Sequence, residues 1–201
     1  MSFRYDAPAS GALLQGEILG DVWEHRARYP AIESPPGLSI PFESEQHPLV
    51  VVMSSVCDLE RDFEQLFPTS DPWDSYDPAG ESRVAAAGVK TYYCFLCDVY
   101  DEARIRSQST VKGSDNWRRI KGNQDERYHR FEPTTIGENG TRELPDLYLD
   151  FRRGFALPSQ ALYAGIRAGG IERVAVIPPV FIHDLMHRFY SYHSRVGVPG
   201  E

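Results

Sequence analysis

The chain of 201 residues has only three cysteines, an odd number and too few for a disulfide framework. A reducing cytoplasm is therefore the expected setting. No stretch approaches the ~18 consecutive apolar residues of a membrane-spanning helix, so no membrane partner is expected. The opening MSFRYDAPASG has no apolar core of the kind that marks a secretory signal. Basic residues are outnumbered, 21 Lys and Arg against 29 Asp and Glu, and the formal net charge is −8. That sign argues against a surface coated for non-specific nucleic-acid binding. Neither an internal repeat nor a long linker divides the chain, and a single domain over residues 1–201 is the simplest organisation. What is present suffices for a packed core: 41% of residues are hydrophobic and 25% charged, which excludes disorder as a description of the whole.

The charge is unevenly placed. Residues 1–102 carry a balance of −12, residues 103–130 a balance of +5, and the rest are close to neutral. The basic band holds Arg104, Arg106, Lys112, Arg118, Arg119, Lys121, Arg127 and Arg130, interleaved with Trp117, Tyr128 and His129. Cations for phosphates beside rings for bases are the combination that binds single-stranded nucleic acid. The alternative is that the band faces the acidic half, within one molecule or in a partner chain.

Local patterns predict a mixed succession of strands and helices. Leu13–Leu19 reads as a strand, with Gly16 marking a bend or a close backbone approach. A Pro-rich loop follows through Ser34–Gly37. Leu49–Ser54 is a continuous apolar, β-branched run, as in a strand buried on both faces. Cys57 and Asp58 fall just past its end, and Leu59–Phe67 fits a short helix ended by Pro68. Residues 68–90 read as an acidic surface insertion. Thr91–Leu96 is a second strong strand. Helix interrupted near Gly113 is expected over Asp101–Ile120, and further strands over Arg127–Phe131, Leu147–Phe151 and Arg173–Ile177. A short helix after Pro158 stops at Gly169-Gly170. The clearest element is a helix from Val180 to about Arg195, whose Phe181, Ile182, Leu185, Phe189 and Tyr192 fall in one arc with Met186 at its edge.

Three constellations invite a chemical reading. His183-Asp184-Leu185-Met186-His187 spaces two histidines i, i+4, but both lie opposite the apolar arc, where a walled catalytic metal site is not available. Cys94 and Cys97 form a C-x-x-C within a strand, where residues three apart point to opposite faces. Buried apolar cysteines are the favoured reading, with a structural zinc using Cys57 as third ligand as the alternative. No metal and no cofactor is expected. Cys57-Asp58 at the end of the buried strand is the best-placed reactive pair, with His129 as its candidate base.

The first half also resembles the PemK/MazF superfamily of toxin endoribonucleases. Gly16-Glu17-Ile18 matches that family's opening Gly-Asp-Ile strand. Glu43-Ser44-Glu45-Gln46-His47-Pro48 followed by Leu49–Ser54 matches its Arg-Pro and apolar-strand element. The resemblance implies a small SH3-like β-barrel over about 13–152, within an α+β chain elaborated by the acidic insertion and a C-terminal amphipathic helix over about 155–201. His47 stands where the family has its catalytic Arg, and the strand from Tyr92 runs into Cys97-Asp98-Val99-Tyr100 without the family's Thr or Ser. The implied function is a non-catalytic or degenerate binding or regulatory module in bacterial stress, toxin–antitoxin or phage defence. The alternative is a metal-independent endoribonuclease acting on single-stranded RNA. Candidate catalytic residues are His47, His129, Cys57 and Asp58. Candidate RNA- or partner-binding residues are Trp117, Arg118, Arg119, Lys121, Arg127 and Tyr128. A protein partner or a homodimer is expected, with RNA engaged through residues 103–130.

Overall fold

The computed structural model describes residues 11–27, 42–66, 92–108, 111, 113–136 and 142–195. Its centre is the run Val50-Val51-Val52, where β-branched side chains suit a pleated backbone and alternate between two apolar layers. In chain order the elements are β1 (Glu17–Ala27), β2 (Phe42–Val52), α1 (Val56–Leu66), β3 (Tyr93–Asp101), α2 (Glu102–Ser107), α3 (Ser114–Lys121) and β4 (Tyr128–Phe131). There follow β5 (Thr134–Ile136), β6 (Arg142–Leu144), β7 (Leu147–Pro158), α4 (Ser159–Arg167), β8 (Glu172–Val176) and α5 (Pro179–Arg195). Six strands form one sheet in the order β4-β7-β3-β2-β1-β8, every neighbouring pair antiparallel, while β5 and β6 pair separately.

The two faces of the sheet are covered by different helices. Val50, Val52 and Leu96 lie on one face beneath Leu59 of α1 and Leu162 and Tyr163 of α4. Val51, Cys97 and Val99 lie on the other, beneath Leu185 and Met186 of α5. Each fully buried Leu or Val contributes about 2 kcal/mol of transfer free energy. A third cluster, Tyr100, Ile105, Ile120, Tyr128 and Tyr148, seats α2 and α3 against the far end of β3 and β7. The expected arc of α5 meets the core as the periodicity requires, and His183 and His187 are exposed. Cys94 and Cys97 are buried in opposite layers, so they share no ligand position.

Among the described residues the α+β sheet is open rather than closed into a barrel, because β4 and β8 are its edges and four strands lie between them. The division expected near residues 152–155 falls inside β7, and β8 pairs with β1 in the same sheet. A register shift between Cys97 and Val99 bends β7, so its first half pairs with β4 and the end of β3 and its second half with the start of β3. Several boundaries differ from expectation: β3 runs on to Asp101 and β7 to Pro158. β1 starts at Glu17 and runs on to Ala27, and β2 starts at Phe42, ahead of its apolar run. This outer ribbon is largely polar, so no continuous apolar run marked it. α1 begins at Val56, which places Cys57 and Asp58 on its first turn. Gly16 is the expected bend: its φ is +81°, and a Cβ there would lie 2.9 Å from Ile182 of α5. The Ser34–Gly37 loop and the insertion at 68–90 lie outside the described residues.

Candidate functional site

A polar cluster interrupts the apolar face between the α1/α4 layer and the α2/α3 layer. Its centre is Asp98 of β3, which shares its face with Leu96 and Tyr100 by strand alternation. Asp98 is 1% exposed and His47 of β2 is 2% exposed. His47 Nδ1 donates to Asp98 Oδ1 at 2.5 Å, since an ionised carboxylate can only accept. The Tyr100 hydroxyl donates to Asp98 Oδ2 at 2.6 Å, and Arg153 Nε donates to the same oxygen at 3.2 Å. Burial works against the Asp98 charge, but the hydrogen bonds from His47 and Tyr100 outweigh it and hold the carboxyl below its ordinary range. Burial and the Asp98 carboxylate push the Tyr100 hydroxyl up, so it remains a donor. The imidazole of His47 stacks on Phe155 at 4.2 Å with a 22° interplanar angle.

Around this core lie Glu24, Arg26 and Glu45 of the β1–β2 ribbon. Glu24 and Glu45 are directly opposite in register, and His47 is two residues beyond Glu45. Arg26 donates to Glu24 at 2.5 Å and Arg153 donates to Glu45 at 2.5 Å. A small cleft of about 60 Å³ opens beside the cluster, lined by Arg26, Asp98, Arg152, Arg153, Gly154 and Phe155.

Of the candidate catalytic residues, only His47 belongs to this cluster. His129 lies on β4, three strand positions from β2 with β7 and β3 between them, or about 14 Å at usual strand spacing. It is 6% exposed, and its ring meets Phe131 edge-on at 4.9 Å. Burial, reinforced by the charge of Arg188, pulls its pKa down to about 3, so it is neutral at ordinary pH. Cys57 and Asp58 are exposed at the start of α1. Ser55 Oγ donates to Asp58 Oδ2 at 2.7 Å and accepts from the Asp58 backbone N–H at 3.4 Å. The second bond is an N-cap contact at the start of α1, and the Asp58 carboxylate joins it through the Ser55 hydroxyl, which accounts for Asp58 without catalysis. The Ser55 hydrogen bond, helped by Arg61, lowers the Asp58 carboxyl from its ordinary value.

The basic band divides into a structural part and a surface part. Arg127 grips buried Asp150 through Nε at 2.7 Å and Nη2 at 2.5 Å, and Arg130 Nε donates to Asp146 at 2.7 Å. Tyr128 is buried and donates its hydroxyl to Gln108 at 2.8 Å. These residues anchor β4 and offer little to a ligand. Arg104, Arg106, Arg118 and Arg119 are exposed on α2 and α3, with Lys121 half-buried beside them. Trp117 packs its half-buried ring on Tyr148 at 5.3 Å, with Arg106 at 5.2 Å and Lys121 at 5.8 Å over it. The acids among them are Glu102, paired with Arg106 at 3.1 Å, and Asp115, paired with Arg118 at 3.0 Å. Both pairs are solvent-facing and contribute little.

Glu24, Arg26, Asp98, Tyr100 and Arg153 were not candidates in the sequence reading. One signal for the carboxylates was available: Glu45-x-His47 in a strand puts both side chains on one face. The remaining members converge from β1, β3 and β7, which no local pattern links. No helix among the described residues is long and apolar enough to cross a membrane. Comparison with protein-family models, with curated proteins and with solved structures gives no match for this chain.

Proposed function

We propose that this chain is a non-catalytic binding module that takes single-stranded RNA on the exposed basic face of α2 and α3. The observation that carries the reading is the display of Arg104, Arg106, Arg118 and Arg119, with Lys121 beside them, on two short adjacent helices. Backbone phosphates along a single strand meet such a face with no base-specific fit required. The absence of catalysis is supported by the separation of His47 from His129 and by their burial. The PemK/MazF likeness of residues 13–100 belongs to the same proposal: a divergent, regulatory relative in a bacterial stress or defence setting, its barrel opened into a sheet.

The test is fluorescence anisotropy with a labelled single-stranded RNA across a salt series. Four phosphate contacts predict a slope of log affinity against log salt of about −3, from roughly −0.7 per contact on a single strand. Arg118→Glu/Arg119→Glu should weaken binding at least ~10-fold and flatten the slope by about 1 to 2. Binding that is absent, or unmoved by that double change, refutes the RNA-binding assignment. Cleavage of the probe by purified wild-type protein, lost in His47→Ala, refutes the non-catalytic part.

A further inference from the structure

The β1–β2 ribbon holds an arrangement that RNA binding on α2 and α3 does not use. Glu24, Glu45 and His47 each present a ligand atom, and the three atoms lie within 4.8 Å of one another. Their convergence follows from strand geometry: Glu24 and Glu45 face each other across the ladder, and His47 follows Glu45 at i+2 on the same face.

The second observation is the state of His47 itself. Its Nδ1 is committed to Asp98, which leaves the Nε2 lone pair aimed into the cluster. Nε2 is buried and has no hydrogen-bond partner. Glu24 Oε2 lies 3.4 Å from it. A nitrogen lone pair and a carboxylate oxygen facing each other in a buried place repel unless a proton or a metal cation lies between them. A tetrahedral ion with bonds of 2.0–2.1 Å requires ligand atoms about 3.4 Å apart, and the Nε2–Oε2 separation meets that edge. An imidazole whose other nitrogen donates to a carboxylate is also the usual supporting arrangement for a metal-bound histidine. Asp98, fixed in turn by Tyr100 and Arg153, supplies it here.

A guanidinium already occupies the cation's place. Arg26 reaches Glu24 Oε2 at 2.5 Å and Glu45 Oε2 at 3.5 Å, bridging the two carboxylates. Its side chain is 49% exposed, so it is free to swing into solvent when a smaller, more highly charged ion enters. Arg153 then stays on Glu45 Oε1, where it orients the carboxylate from outside the coordination sphere.

We propose that Glu24, Glu45 and His47 form a binding site for a divalent first-row transition metal of the zinc type, with Asp98 as the positioning residue for His47 and Arg26 as the competing cation. One imidazole nitrogen and two carboxylate oxygens suit zinc and its neighbours, whereas magnesium and calcium take shells of oxygen alone. Three protein ligands leave the fourth position of a tetrahedral ion open.

Isothermal titration of the full chain with Zn²⁺, and Co²⁺ absorption as a report on the ligands, test the site. One ion per chain is expected, with a cobalt spectrum of nitrogen and oxygen ligation. Glu24→Gln and His47→Ala should each lower affinity more than ~10-fold, and Asp98→Asn by about 10- to 100-fold. Arg26→Met should raise affinity, which is the opposite of what loss of a purely structural ion pair predicts. If His47→Ala does not fold, Glu24→Gln and Arg26→Met still decide the matter. No Zn²⁺ binding to the folded wild type overturns the proposal. So does binding unchanged by Glu24→Gln, binding removed by His187→Ala, or a thiolate-to-cobalt charge-transfer band that places the ion on Cys57.

Discussion

Replacing Arg173 by Met should be among the most damaging single changes in this protein. Glu17, fully buried at the start of β1, receives a short bond from Arg173 Nε, a second from Nη2 at 2.9 Å, and the Leu14 backbone N–H at 2.9 Å. Arg173 also donates to the carbonyls of Gly11 at 2.8 Å and Ala12 at 3.0 Å. Burial pushes the Glu17 carboxyl up from its ordinary value, and Arg173 is the main group opposing that shift. Removing one partner of a buried pair costs about 3–5 kcal/mol, chiefly because the other charge is stranded. With a urea dependence of about 2 kcal/mol/M, a loss of ~4 kcal/mol lowers the unfolding midpoint by roughly 2 M. The double change Glu17→Leu/Arg173→Met removes both charges and should recover most of that loss, because apolar residues of similar volume replace such pairs at little cost. Urea unfolding followed by circular dichroism reads all three proteins. A loss below ~1 kcal/mol for Arg173→Met, or a double variant as unstable as the single one, would refute the reasoning.

Acid sensitivity should trace in part to His129. Its folded pKa of about 3 lies below its unfolded value, so it contributes stability that is present above pH ~6.5 and lost as pH falls from there toward 3. The loss is about 1.6 kcal/mol between pH 6.5 and pH 5, and His129→Phe should flatten that part of the urea midpoint against pH. An unchanged slope in the variant would show that the histidine is not buried in neutral form. Gly16→Ala should cost about 2 kcal/mol, from its positive φ and from the approach of Ile182, detectable as a lowered Tm. A neutral effect would mean that α5 does not pack on this bend.

Apolar periodicity made most of the fold legible. The arc on α5 and the two-sided run of β2 each announce a partner layer, because burial is what those residue types contribute. The outer ribbon Val22–Ala27 with Phe42–Gln46 carries no such pattern, since only part of it meets the core, and its strands extend beyond the apolar runs that predict them. Capping chemistry explains another difference. Asp58, half of the Cys57-Asp58 pair expected to be reactive, is three residues past Ser55, and its bonds to Ser55 belong to the start of α1. The polar cluster was legible only in His47 and, by strand alternation, Glu45. Asp98 and Arg153 reach it because β7 bends at its register shift, a property of pairing rather than of any segment.

The pairing of β8 with β1 has a consequence for how the chain is made. On the ribosome, β1 emerges early, yet the strand that covers its outer edge lies more than 140 residues downstream. Until residues 172–176 leave the exit tunnel, β1 presents unpaired backbone donors and acceptors along that edge, and Glu17 has no counter-ion. A stalled nascent chain ending before Glu172 should therefore be protease-sensitive and prone to strand exchange with its neighbours, and closure after release should be slow, as contacts of such sequence separation usually are.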